Sequence, residues 1–305
     1  MLESAVGVAK SPAAAQIGSL TWMLVALGAA VFLVFAVIFV RALMRDRQPE
    51  GADTGAKLIF WGGVAMPTVV ITVVLGLTLG TMRNLSAEAE EGAIVVEVTG
   101  HQWWWDVYYP EYGIRIANEM HIPIDRQVDL RLTSADVIHS FWVPGLAGKL
   151  DLLPEKSNEM VLEASEPDVY RGVCAEFCGL QHANMAFYVV AVTEPEFEDW
   201  VDHATGMTDQ PTTGLAARGM DVFFQAECHE CHTIAGTSAH GRVGPDLTHV
   251  ASRQSLAAGS LDNTPENLAD WITNPQTLKP GVKMPDLELS RADIEALVAY
   301  LETLE

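Results

Sequence analysis

Two stretches without a single charged side chain, Leu20 to Val40 and Leu58 to Met82, constrain this chain more than anything else in it. Each exceeds the roughly 20 apolar residues that cross a bilayer. A backbone inside lipid must satisfy its own hydrogen bonds, and a lone segment does so only as a helix. The other reading, two buried helices of a soluble protein, fits poorly with a chain of 305 residues whose formal net charge is −22. The runs therefore predict an antiparallel transmembrane hairpin. Its loop holds Arg41, Arg45, Arg47 and Lys57 while the N-terminal tail offers Lys10, so the positive-inside rule puts the loop in the cytoplasm and both termini outside. Met1 to Gln16 has neither the charge and apolar pattern of a secretory signal nor an N-terminal cysteine for lipid, so the first helix is expected to stay as an anchor. Pro67 should kink the second helix, and Gly62-Gly63 permit close packing on the first helix or on a partner's.

The acidic residues lie mainly in 93–203 and 214–305, outside the hairpin. Such a surface repels phosphate, which excludes a nucleic-acid partner. It suits a basic soluble electron carrier steered by charge, or simply solubility. At roughly 150 residues per domain, the length allows about two domains beside the hairpin. All four cysteines fall in two short motifs, and none is left to staple a scaffold.

The first motif is CAEFCGLQHANM, in which Cys174 and Cys178 are followed by His182 and Met185; His139 lies upstream in VIHSFW. Two thiolates, two imidazoles and a thioether are the inventory of a two-copper electron-transfer centre. Soft sulfur favours Cu(I), imidazole tolerates both oxidation states, and a bridged pair can spread the odd electron. A structural zinc site is the rival, but zinc gives Met185 no role and uses other spacings. A Cys174–Cys178 disulfide would leave His139, His182 and Met185 unexplained. Around these residues AIVVEVTG, GHQWWWDVYYP, VDLRLTS, VIHSFWVP, NEMVLEA and AFYVVAV read as short strands of a β-sandwich. His139 is expected to end one strand, with the Cys/Cys/His/Met set on the loop before another.

The second motif, Cys228-His229-Glu230-Cys231-His232, is the C-x-x-C-H pattern of covalent haem attachment. It puts two thiols near the haem vinyl groups and the His232 imidazole on the iron. A redox C-x-x-C is the weaker reading, since that motif needs no directly following histidine. Met284, in VKMPDL, is the best sixth ligand, and Pro245 in VGPDL can offer a carbonyl to the second nitrogen of His232. His229, His240 and His249 are expected to be exposed bystanders. GLAARGMDVFFQAE and SRADIEALVAYLETL, the latter capped by Ser290, have helical periodicity. Residues 204–213 are small, polar and proline-containing, and read as a linker.

Taken together, GHQWWW, IHSFWVP, KLDLLPE and CAEFCGLQHANM resemble subunit II of cytochrome c oxidase, the haem–copper terminal oxidase, from the hairpin to about residue 203. The segment after the linker resembles a class I cytochrome c, and the fusion resembles subunit II of a caa-type oxidase. The resemblance implies a multidomain fold: residues 1–92 as tail and two-helix transmembrane hairpin, 93–203 as a cupredoxin-like β-sandwich, 204–213 as linker and 214–305 as an all-α cytochrome c domain. It implies that Cys174 and Cys178 bridge two coppers, that His139 and His182 end the pair and that Met185 is axial. Glu176 would give its backbone carbonyl to copper and its carboxylate to a magnesium ion shared with subunit I. Trp103 matches the tryptophan at which electrons enter, although core packing would also account for it. The family often has a glutamate at the outset of the second helix, yet KLIFWGG has no carboxylate.

The function implied is an electron conduit in the cell membrane, with its soluble domains on the outer side. Electrons come from a donor such as a cytochrome c or a quinol:cytochrome c reductase, pass the haem held by Cys228, Cys231, His232 and Met284, then the copper pair, and reach subunit I, where oxygen is reduced. Subunit III is an expected neighbour. A nitric oxide reductase subunit and a copper-delivery membrane protein are the alternatives; a delivery protein has no evident use for covalent haem.

Overall fold

The computed structural model describes residues 9–44, 52–85, 88–206, 208 and 210–305. Two compact units emerge, Pro12–Ala87 and the remainder. In the first, α1 (Pro12–Met44) is one uninterrupted helix, and the second apolar run continues through α2 (Ala52–Phe60), a π-helical turn (Trp61–Ala65) and α3 (Met66–Leu85). Both are long and apolar enough to cross a membrane, with mean hydropathies of 3.0 and 2.2. Their large apolar side chains are exposed, which suits lipid rather than water. The expected irregularity at Pro67 takes a specific form. A proline ring conflicts with the carbonyl four residues back, and the turn just before it is widened, with the Met66 N–H bonded to Trp61 O. A Cβ on Gly62 or Gly63 would meet nothing within 4 Å, so neither glycine serves packing against α1. Arg45, Arg47 and the first eight residues lie outside the described residues.

The second unit begins as a sandwich of two five-stranded sheets. Its strands are β1 (Ile94–His101), β2 (Trp104–Tyr109), β3 (Ile114–Ala117), β4 (Glu119–Pro123), β5 (Val128–Ser134), β6 (His139–Trp142), β7 (Leu150–Leu152), β8 (Asn158–Leu162), β9 (Asp168–Cys174) and β10 (Ala186–Val192). They run in the orders β3-β2-β1-β5-β8 and β4-β10-β9-β6-β7. Strict alternation decides which face of each strand turns inward: Ile94, Val96 and Val98 are buried while their neighbours are half-exposed. Between the sheets Trp105, Phe141 and Phe187 interlock, with ring centroids 5.0 Å apart for Trp105–Phe187 and 4.5 Å for Phe141–Phe187. Gly172 makes room for this cluster, since a Cβ there would lie 2.1 Å from the Phe187 ring. Helix α4 (Glu194–Ala204), opened by a Thr193–Glu196 capping box, stacks Trp200 on His121.

The C-terminal part packs α5 (Gly214–Gln225), α6 (Pro265–Thr273), α7 (Pro275–Leu278) and α8 (Arg291–Leu301) around Phe223, Leu268, Ile272, Leu297 and Tyr300. Ser290 caps α8 as its position predicts, accepting the Asp293 N–H. Helices α5 and α8 approach closely at Gly219, where a Cβ would stand 1.9 Å from Ala296 O. The sandwich and this helical part belong to one compact unit. Ala186 N–H bonds Ala258 O at 2.9 Å, and Gln254 N–H bonds Glu119 Oε2 at 2.8 Å. The short linker, which by composition alone leaves the orientation open, is thus overruled by hydrogen bonds.

Candidate metal centre and haem pocket

His139 opens β6 rather than ending a strand, because the preceding turn is built by Asp136. That carboxylate accepts the N–H groups of Val137 and Gln102, both at 2.8 Å. Cys174 lies on β9 itself, directly opposite Phe141 of β6, so strand pairing brings His139 and Cys174 to one end of the same sheet. Cys178 follows in the loop, and His182 starts a 3₁₀ turn, His182–Asn184, that swings Met185 inward.

The expected donors converge. Cys174 Sγ is 3.8 Å from Cys178 Sγ and 3.9 Å from His139 Nδ1, while Cys178 Sγ is 3.7 Å from His182 Nδ1 and 3.8 Å from Met185 Sδ. The donor atoms of His139, Cys174 and Cys178 all lie within 4.8 Å of one another. His139 is fully buried and Met185 nearly so. The carbonyl of Glu176 sits 3.2 Å from Cys174 Sγ; its carboxylate points away, 3.9 Å from Lys149 Nζ. Sulfur and imidazole donors converging on so small a space fit soft metal ions.

The contact between the two sulfurs pushes the Cys174 thiol down, against the opposing effect of burial, and together with burial pushes the Cys178 thiol up. Burial works against charge on His139, yet its bonds to Cys174 and Asp136 raise its pKa overall. The bond to Asp136, 2.9 Å from Nε2, is a partner that the motif did not reveal. A carboxylate three residues before a candidate ligand was the available signal.

Trp103 is nearly buried, and its indole Nε1–H donates to Cys178 O at 3.0 Å, beside Gln102 Nε2 at 2.8 Å. It therefore touches the backbone of the sulfur loop and is not merely core filling.

In the helical part, Cys228–Glu230 form a 3₁₀ turn that the His232 N–H extends by bonding Cys228 O at 3.0 Å. His232 Nδ1 donates to Pro245 O at 2.7 Å, as VGPDL suggested, which leaves Nε2 free to bind iron. Burial lowers the His232 pKa and so favours the neutral imidazole that a metal requires. Met284 comes from a separate, half-buried segment, its carbonyl held by Gln276 Nε2 at 2.8 Å. A half-buried histidine with one nitrogen fixed and one free, beside two unpaired cysteines, fits covalent haem. Of the other histidines, His240 is exposed, but His229 is half-buried against Phe224 and His249 bonds Ala204 O and Glu305 O. His229 is drawn in by an aromatic neighbour and His249 by unpaired terminal carbonyls.

Residues 113–192 match the family model of "Cytochrome C oxidase subunit II, periplasmic domain", and residues 216–305 that of "Cytochrome c". Cytochrome c oxidase subunit 2 of Alkalihalophilus pseudofirmus is 37% identical over 286 residues, covering 90% of this chain and 82% of that protein. The subunit 2 of Bacillus subtilis is 32% identical, covering 79% of this chain and 70% of that one. Among solved structures, the periplasmic domain of subunit II of the Bradyrhizobium japonicum cytochrome oxidase is 30% identical with a TM-score of 0.36, covering 39% of this chain and 95% of that chain.

Proposed function

Because the chain belongs to the cytochrome c oxidase subunit 2 family, in which it is an electron-transfer subunit of a haem–copper terminal oxidase, we propose specific roles for its donors. Cys174, Cys178, His139, His182, Met185 and the carbonyl of Glu176 would hold two coppers. Cys228 and Cys231 would attach one haem c, and His232 and Met284 would hold its iron. When bound, these groups would accept and release single electrons.

The protein's own part is placement. Asp136 fixes the His139 ring, and Pro245 O fixes that of His232. The Trp103 indole holds the Cys178 carbonyl. The sulfurs are buried, which keeps water and oxidants away from the thiolates. Glu176, whose carboxylate faces outward, is the candidate for magnesium at the contact with subunit I.

The complex is membrane-bound and includes subunit I. We assign 93–203 to the copper domain, 204–213 to the linker and 214–305 to the haem domain. Both termini and the soluble part lie on the periplasmic side of the cell membrane, subunit III adjoins, and a cytochrome c or a quinol:cytochrome c reductase supplies electrons. The convergence of two sulfurs, two imidazoles and a thioether carries this reading. Metal and optical analysis of the purified chain tests it. Two coppers, one covalent haem and a paramagnetic signal shared by two copper nuclei are expected; zinc, or a single copper, overturns it.

A further inference from the structure

Lys279 is 2% exposed, an unusual fate for lysine. Its Nζ donates to three backbone carbonyls: Asn184 at 2.7 Å, Ala257 at 2.8 Å and Trp103 at 3.1 Å. Ala257 belongs to the helical part that holds Lys279 itself, but Asn184 and Trp103 belong to the sandwich. The side chain therefore crosses from one to the other, and two of its three partners have nothing to do with the fold of its own domain.

The surroundings reinforce the crossing. Gln181 Nε2 donates to Pro280 O at 2.8 Å, and Gly281 lies against Leu180 and the Trp103 ring, where a Cβ would approach to 3.2 and 3.6 Å. The segment is also stiff. Gln276 accepts the Gly281 N–H at 3.0 Å and donates to Val282 O and Met284 O, both at 2.8 Å. A continuous set of contacts thus runs from the Cys178 carbonyl, through Trp103, to Lys279 and on to the segment that carries Met284.

We propose that Lys279 is a positioning residue for electron transfer within the chain. It latches the Met284 segment onto the Trp103 edge of the sandwich, so that an electron crosses from one docked geometry rather than from a range of tethered ones. The inference rests on the reading of the donors given above. The transfer moves one electron from the haem side to the copper side, oxidising the first and reducing the second, and makes or breaks no bond. Without the latch, the buried Trp103 carbonyl loses the Lys279 donor and that of Asn184 keeps only Ser260 Oγ at 3.3 Å, and the docked state loses population.

The test uses the assembled oxidase. Lys279→Met keeps the bulk of the side chain and removes the donor. Hydrogen exchange at the Ala186 and Gln254 amides, both bonded across the interface, reports docking without reference to electron flow. We expect exchange there to quicken about tenfold, equivalent to about 1.4 kcal/mol, and haem-to-copper transfer after flash reduction to slow, while both optical spectra and exchange in α5 and α8 stay as in the wild type. Unchanged exchange at both amides overturns the proposal. So does faster exchange throughout α5 and α8, which would give Lys279 a role in its own domain's fold, and so does an unaltered transfer rate despite a loosened interface. If Lys279→Met does not assemble, Lys279→Gln, with two donor hydrogens left, carries the same measurements with a smaller expected change. A wild-type chain lacking the two-nucleus copper signal would defeat the donor assignment while leaving the exchange result readable.

Discussion

Asp136 Oδ1 accepts the Nε2–H of His139 at 2.9 Å and so turns His139 Nδ1 toward Cys174 Sγ, 3.9 Å away. The same carboxylate takes the Gln102 N–H, which ties the imidazole to the turn carrying Trp103. Partners of this kind set the tautomer and the basicity of a metal-binding histidine, and their loss typically costs 10–100-fold in affinity. Asp136→Asn should therefore weaken copper retention by about that factor, as measured by competition with a chelator. Retention equal to the wild type would show that the strands alone hold the ring.

Gly100 of β1 faces His139, and a Cβ there would lie 2.8 Å from the ring's Cδ2. Gly100→Ala should push the imidazole off its position, since the ring is packed on all sides and fully buried. Overpacking of this sort costs about 1–3 kcal/mol. We expect a lower melting temperature together with a disturbed copper spectrum. A spectrum unchanged at reduced stability would mean that β1 yields instead of the ligand.

Gly219 marks the crossing of α5 and α8, where the Ala296 carbonyl leaves no space for a methyl group. Gly219→Ala would gain helix propensity, roughly 0.5–1 kcal/mol, but a contact of 1.9 Å forces the helices apart. The clash outweighs the propensity. Exchange in α5 and α8 should rise, and the haem domain should melt earlier while the copper signal persists.

Much of this architecture could be read from residues. Charge-free runs announced the membrane helices, the short β-rich runs announced β1, β2, β5, β6, β8 and β10, and the two motifs with VIHSFW and VKMPDL named every proposed ligand. What escaped was set by contacts distant in sequence. Strand β9 holds Asp168 and Gly172, both of types depleted in strands, and the Phe187 ring explains Gly172 only after folding. Short β7 and β4 take their form from ladder partners. Asp136 acquires its role only through the bond to His139, which depends on the fold of the turn between them. Lys279 is unmarked in TLKPG, because nothing local shows that its acceptors lie 95 and 176 residues earlier.

The pairing of Phe141 with Cys174 places part of the donor set on neighbouring strands of one ladder, so backbone hydrogen bonds set their spacing. Side chains alternate between the two faces of a sheet. A slip of this ladder by a single residue would turn Cys174 to the opposite face and dissolve the site without altering any donor.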